Sequence, residues 1–276
     1  MPLWQLPEEL HFCRVNTDVI RGHLISYDPD GPGRVVVLPT SKLLEVFTHL
    51  IDHDLSWELV SYILCYLPAQ LSNKHLFCGP KARAAVSRLL HLLCTGVIRG
   101  HLASQTADNC PEHMKTRDLH GLAQQTLSTL ISYRNNFEFQ QRVLLLEAFQ
   151  AGLDGPFSTI KCCLHALTLA AYECPNSMAK VLPKILEKLS QIMSNPNMAV
   201  HILAFLNIVG TLPHLYASFT EDDFKMVFGV ALQYLQHYNQ RRESPTRSWA
   251  LSQHVRQQSY CAVYTWFSVL KIPDRQ

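Results

Sequence analysis

Two histidines four residues apart, His49 and His53, have the spacing at which successive turns of a helix can grip one zinc ion. No third ligand lies near them in sequence, so the pair reads as exposed or capping side chains of a helix. A looser group, His91, Cys94, His101, Cys110 and His113, surrounds a polar stretch, and His91-x-x-Cys94 and Cys110-x-x-His113 are tight Cys/His pairs on paper. Cys94, however, falls inside apolar helical pattern, where a free cysteine behaves as a small buried hydrophobe. Glu221, Asp222 and Asp223 follow Thr220 at a helix start, where negative charge complements the N-terminal dipole; they read as a cap rather than as acid–base catalysts. Arg241, Arg242 and Ser244-Pro245 resemble a kinase-accessible loop whose charge a phosphate would change. P-loop, G-x-G-x-x-G, H-E-x-x-H and G-x-S-x-G patterns do not occur. The sequence therefore assigns no catalytic residue, no cofactor and no metal ligand. An enzyme built on Cys110 and His113 is the remaining chemical reading, and metal content together with Cys110→Ser and His113→Ala would test it.

The elements that carry these residues are helical. Thr40 or Ser41 can cap a helix running to about Asp52, because their oxygens accept from free N–H groups. A second helix carries Leu59, Ile63 and Tyr66 and ends before Pro68; a third spans 80–98. Residues 100–116 are polar and aperiodic and read as a loop. Leu119, Ala123, Leu127 and Leu130 open the next hairpin; Phe139, Val143, Leu146, Phe149 and Leu153 complete it. A second polar stretch, 236–248, precedes a last helix with Leu251, Val255, Ala262, Trp266 and Val269. Residues 1–38 read as an N-terminal extension, irregular or partly helical. Arg34–Leu38 is β-branched and disposed to extend, but no strand pair is expected.

One pattern occurs twice. Ile160, Leu164, Leu167 and Ala171 recur 38 residues later as Met198, Ile202, Phe205 and Val209, with Pro175 and Pro213 closing the copies. Each copy is followed by a second stripe, Leu182, Leu186, Leu189 and Met193, then Phe224, Phe228, Ala231 and Leu235, offset by 42. Paired period-3.6 stripes separated by proline are antiparallel helix hairpins, and a recurrence near 40 residues marks HEAT-like or armadillo-like arrays. The expected fold is all-α, an α-solenoid over 39–273 with helix groups 40–98 and 117–273 and roughly ten to eleven helices. The stretch Pro196–Val209 is apolar on nearly every side, which places it mid-array, covered from both sides.

Composition narrows the function. Of 276 residues, 47% are apolar and 17% charged, with a net charge of +2. That is too apolar for disorder, and no Lys/Arg stripe with interleaved aromatics points to nucleic acid. Nine cysteines without a C-x-x-C, several in helical pattern, fit a reducing compartment. The N-terminus lacks the basic-then-apolar order of a signal peptide. The longest apolar run is about 14 residues against roughly 20 for a bilayer span. The chain reads as soluble and cytoplasmic, a surface that holds proteins.

Several segments resemble the tuberin family, the large subunits of the tuberous sclerosis complex: SWELVSYILCYLPAQLSNKHLF (Ser56–Phe77), RDLHGLAQQTLSTLISYRNNF (Arg117–Phe137), the run Lys180–Leu235, which contains LPHLYASF and FKMVFGVALQYL, and HVRQQSYCAVYTWFSVLKIP (His254–Pro273). Gln236–Ser248 departs from the family pattern. The resemblance implies the central helical-repeat region of such a protein. It further implies association with hamartin, with the family's own catalytic domain or with a second copy, and GTPase activation of Rheb that restrains TOR complex 1. That activity belongs to a separate C-terminal domain with a catalytic asparagine, and nothing here resembles it. The implied location is cytoplasmic, with peripheral recruitment to lysosomal or vacuolar membranes through the complex. Leu43–Leu50 and the last helix around Trp249 and Trp266 are the candidate contact positions.

Overall fold

A computed structural model of the chain describes residues 9–13, 26–28, 35–53, 56–102, 115–240 and 246–270. The first three elements are strands: β1 (Glu9–Cys13), β2 (Ser26–Asp28) and β3 (Val35–Pro39). They form one antiparallel sheet in the order β1-β3-β2, with Glu9 opposite Pro39 and Ser26 opposite Val37. This corrects the expectation for the N-terminal stretch, whose described residues are extended and paired rather than irregular or helical. The β-branched run Val35–Val37 supplies the central strand. Its partners are too short for alternation to reveal them.

From Thr40 the architecture is all-α. Ten helices occur among the described residues: α1 (Thr40–His53), α2 (Trp57–Leu71), α3 (Pro80–Arg99), α4 (Thr116–Leu130), α5 (Phe139–Gly152), α6 (Phe157–Glu173), α7 (Pro175–Ile192), α8 (Ala199–Gly210), α9 (Glu221–Gln240) and α10 (Thr246–Val269). The chain divides into two compact units, Met1–Gln141 and Arg142–Gln276.

In the first unit α1 packs on α3, and α4 packs on both α2 and α3. The Ser56 hydroxyl accepts from the Leu59 N–H at 3.3 Å and starts α2. Pro68 does not end α2, contrary to the sequence reading. The helix continues to Leu71 because buried Leu67 and Leu71 hold the last turn, at the cost of one backbone hydrogen bond. Gly100 closes α3 with φ of 68°, which lets the His101 and Leu102 N–H groups return to the Gly96 carbonyl. At the far end of α4, the buried Tyr133 hydroxyl donates to the Leu71 carbonyl at 2.6 Å, tying α4's exit to α2.

In the second unit α6 packs on α8, α8 on α10 and α7 on α9, while α10 also lies along α9. This solenoid-like stacking explains the doubled sequence pattern. Ile160, Leu164, Leu167 and Ala171 are all buried, as are Met198, Ile202, Phe205 and Val209. Of α8 only Ala204 is exposed, since α6 covers one flank and α10 the other. The second stripe of α9 is rotated from its expected place. Val227, Val230, Ala231, Tyr234 and Tyr238 are buried, while Phe224, Phe228 and Leu235 are half-exposed. α9 also extends through Gln240, into the polar stretch read as loop.

Candidate interaction surface

Among the described residues the chemical candidates do not assemble. His49 and His53 stack at the exposed end of α1, ring centroids 4.5 Å apart, with His53 Nδ1 3.2 Å from the His49 carbonyl. His91 is exposed on α3, whereas Cys94 is fully buried three residues on, and burial pushes its thiol far above the ordinary range. A protonated, enclosed thiol is a poor ligand. His101 is exposed, and Cys110 and His113 lie outside the described residues, as do Arg241, Arg242 and Ser244. Among the described residues no three His, Cys, Asp or Glu side chains gather around a point that could hold a metal ion.

In the acidic first turn of α9, Asp223 forms a capping box with Thr220. Both the N–H and the hydroxyl of Thr220 donate to Asp223 Oδ2 at 2.8 Å, and the Asp223 N–H reaches back to the Thr220 hydroxyl at 3.4 Å. Glu221 pairs with Lys225 at 2.7 Å one turn along.

Trp266 and Trp249, read together as contact candidates, have opposite fates. Trp249 is exposed on α10, but Trp266 is buried and belongs to the core. Its indole N–H donates to the Leu206 carbonyl of α8 at 3.0 Å. Phe219 stacks on it at 5.8 Å with planes 6° apart, and Tyr216 and Phe224 approach at 5.2 and 6.0 Å. Tyr216 and Phe219 belong to LPHLYASF, so this distinctive run builds the seat into which α10 inserts. A second latch joins the same helices, where Asn207 Nδ2 donates to the Gln258 side-chain oxygen at 2.6 Å and to its backbone carbonyl at 3.2 Å. On the other flank Arg256 donates to the Tyr238 carbonyl at 2.7 Å, and the Tyr238 hydroxyl donates to the Pro196 carbonyl at 3.1 Å. α10 is thereby fixed in rotation, and the face it turns outward is fixed with it.

Two helices present exposed aromatic residues to solvent. On α2 the exposed stripe is Leu59, Tyr62 and Tyr66, with the two tyrosine rings 4.7 Å apart and Cys65 beside them. On α10 it is Tyr260, Tyr264 and Phe267, with Cys261 beside them. Leu43 and Leu50 of α1 are only half-exposed. Both aromatic stripes repeat at helical spacing on the wet side, a signal visible in the sequence but indistinguishable there from a core stripe. No described helix is long and apolar enough to cross a membrane.

Comparison with known proteins identifies the family. The profile of the Tuberin family matches residues 25–242. The Tuberous sclerosis 2 protein homolog of Schizosaccharomyces pombe is 30% identical over 272 residues, covering 95% of this chain and 20% of that protein. The chain thus spans about a fifth of the length of this curated relative. A family match across most of the helical region, together with alignment along nearly the whole chain, establishes that the chain belongs to the tuberin family.

Proposed function

We propose that this chain is a non-catalytic helical-repeat scaffold of a tuberin-like GTPase-activating protein that acts on Rheb and restrains TOR complex 1. In this reading it assembles or positions the catalytic domain and performs no chemistry itself. The observation that carries it is the family match along stacked helices, two of which expose aromatic residues, a form suited to holding proteins. Hamartin, the catalytic domain and a second copy are the partners it implies, in the cytoplasm or at a lysosomal or vacuolar surface reached through the complex. The test is co-elution of the purified chain with hamartin's coiled-coil region and, separately, with the isolated catalytic domain. A stable complex with either supports the scaffold reading and identifies its job. Failure with both favours a generic solenoid adaptor in transport or signalling, which the stacked helices by themselves also support.

A further inference from the structure

We propose that the outward line of α3, Lys81, Arg88 and Arg99, is a docking surface for an extended acidic segment of a partner protein. Between Glu58 and Asp108 the chain contains no Asp or Glu, yet it carries Lys74, Lys81, Arg83, Arg88 and Arg99 as well as His75, His91 and His101. The fold gathers most of this charge on one helix. Lys81, Arg83, Arg88, His91 and Arg99 are all exposed on α3. Lys81, Arg88 and Arg99 stand at i, i+7 and i+18, about two and five turns apart, so they fall on one line roughly 27 Å long. The buried stripe of α3, Val86, Leu89, Leu93 and Val97, packs toward α1 and α4 and keeps that line in solvent.

Charge and shape together select the partner. The line already holds one carboxylate, because the Arg88 guanidinium pairs with Glu45 Oε1 of α1 and both side chains are about half exposed. An incoming carboxylate can therefore exchange for Glu45 without burying either charge. Asp52, two turns beyond Glu45 on α1, is exposed as well, and α1 packs beside α3. A flat anionic membrane would cover both helices and be repelled by both carboxylates. A narrow chain laid along α3 meets only Glu45, at the one pair it can displace. Nucleic acid is disfavoured because α3 contains no Phe, Tyr or Trp on which a base could stack. A line of this length matches about eight residues of extended chain.

The inference does not depend on the GTPase-activation reading and is tested on the 276-residue chain. The probe is a fluorescein-labelled glutamate peptide of about eight residues, followed by anisotropy. Saturable binding is expected at low salt, weakening several-fold as ionic strength rises to about 0.15 M and screening shortens to about 8 Å. The double variant Lys81→Gln with Arg99→Gln should weaken binding about fivefold or more, with circular dichroism unchanged. Lys180→Gln with Lys184→Gln, on α7, should leave it intact. Glu45→Gln should tighten it by about twofold or more, since Arg88 is released. In the unaltered chain, acetylation of Lys81 but not of Lys184 should fall as peptide is added, a readout independent of any variant's folding. Absence of saturable binding at low salt overturns the proposal, as does equal loss in the α7 variant. So does a chain that ignores the peptide but binds phosphatidylserine vesicles through Lys81 and Arg99, which would make the surface a membrane contact.

Discussion

The seat of Trp266 gives the most demanding test of how α10 is held. A Cβ added at Gly210 would lie 2.9 Å from Thr265 Cγ2, 3.0 Å from Trp266 Nε1 and 3.2 Å from its Cε2. Gly210→Ala should therefore cost about 1–3 kcal/mol through overpacking, with little offset from helix propensity because Gly210 ends α8. Trp266→Ala empties the seat and should cost about 3–5 kcal/mol. Trp266→Phe keeps a ring among Tyr216, Phe219 and Phe224 but removes the donor to the Leu206 carbonyl, for about 1–2 kcal/mol. The informative quantity is the coupling. Phenylalanine has no atom where Nε1 lies, so Gly210→Ala should cost at least about 0.5 kcal/mol less in the Trp266→Phe background than alone. Urea unfolding of the four proteins of this cycle, followed by far-ultraviolet circular dichroism, measures it. Additive costs would mean that the glycine is not there to admit the indole. A Trp266→Ala cost below about 1 kcal/mol would remove Trp266 from the core.

Phe205, fully buried in α8 between its covering helices, should cost on the order of 3–5 kcal/mol as Phe205→Ala; unchanged thermal stability would refute a mid-stack α8. Asp223→Ala breaks the Thr220 capping box and should cost about 0.5–2 kcal/mol in chemical denaturation. Burial holds the His120 imidazole below its ordinary value, and burial, then Lys161, does the same for His201. A group whose folded value is lowered contributes stability above its unfolded value, about 6.5, and loses it as pH falls. Unfolding free energy should therefore drop between about pH 7.5 and 5, with a shallower slope in His120→Gln; equal slopes would refute the assignment. Exposed Cys65 and Cys261 should react with a thiol reagent before buried Cys94, Cys163 and Cys174, whose modification should await unfolding, as peptide mapping would show.

How far the sequence reaches depends on how local the signal is. α6, α7 and α8 were legible because their apolar residues recur at helical spacing and Pro175, Pro196 and Pro213 mark their boundaries, although Pro183 lies inside α7. α9 was legible as a helix but not in its rotation. Phe224, Phe228 and Leu235 adjoin Val227, Ala231 and Tyr234 in one broad apolar arc, and hydropathy cannot choose between neighbouring stripes. The hydroxyl of Tyr238 decides against intuition, since a polar atom enters the core there by donating to Pro196. The sheet was not legible because β1 and β3 pair across a long intervening stretch, and their register belongs to neither strand alone. Among the chemical candidates, Thr220 and its acidic neighbours gave themselves away through cap spacing, while Trp249 and Trp266 share a residue type and a helix yet one is exposed and the other buried.

That last contrast bears on where partners should be sought. The run that most distinctively carries the family likeness, LPHLYASF, turns Leu215 into the core and spends Tyr216 and Phe219 on holding Trp266. Its residues maintain the position of α10 and are poorly placed to be a partner's first contact. Substitutions there should therefore act on binding only through stability, and a stabilising ligand or lower temperature should restore them. Substitutions at Tyr260 or Tyr264, whose rings stand in solvent, should act on association with the fold intact. Measuring stability and association on both sets of variants separates the two roles. If the LPHLYASF variants lose association at full stability, the seat is itself a contact surface and the division argued from burial is wrong.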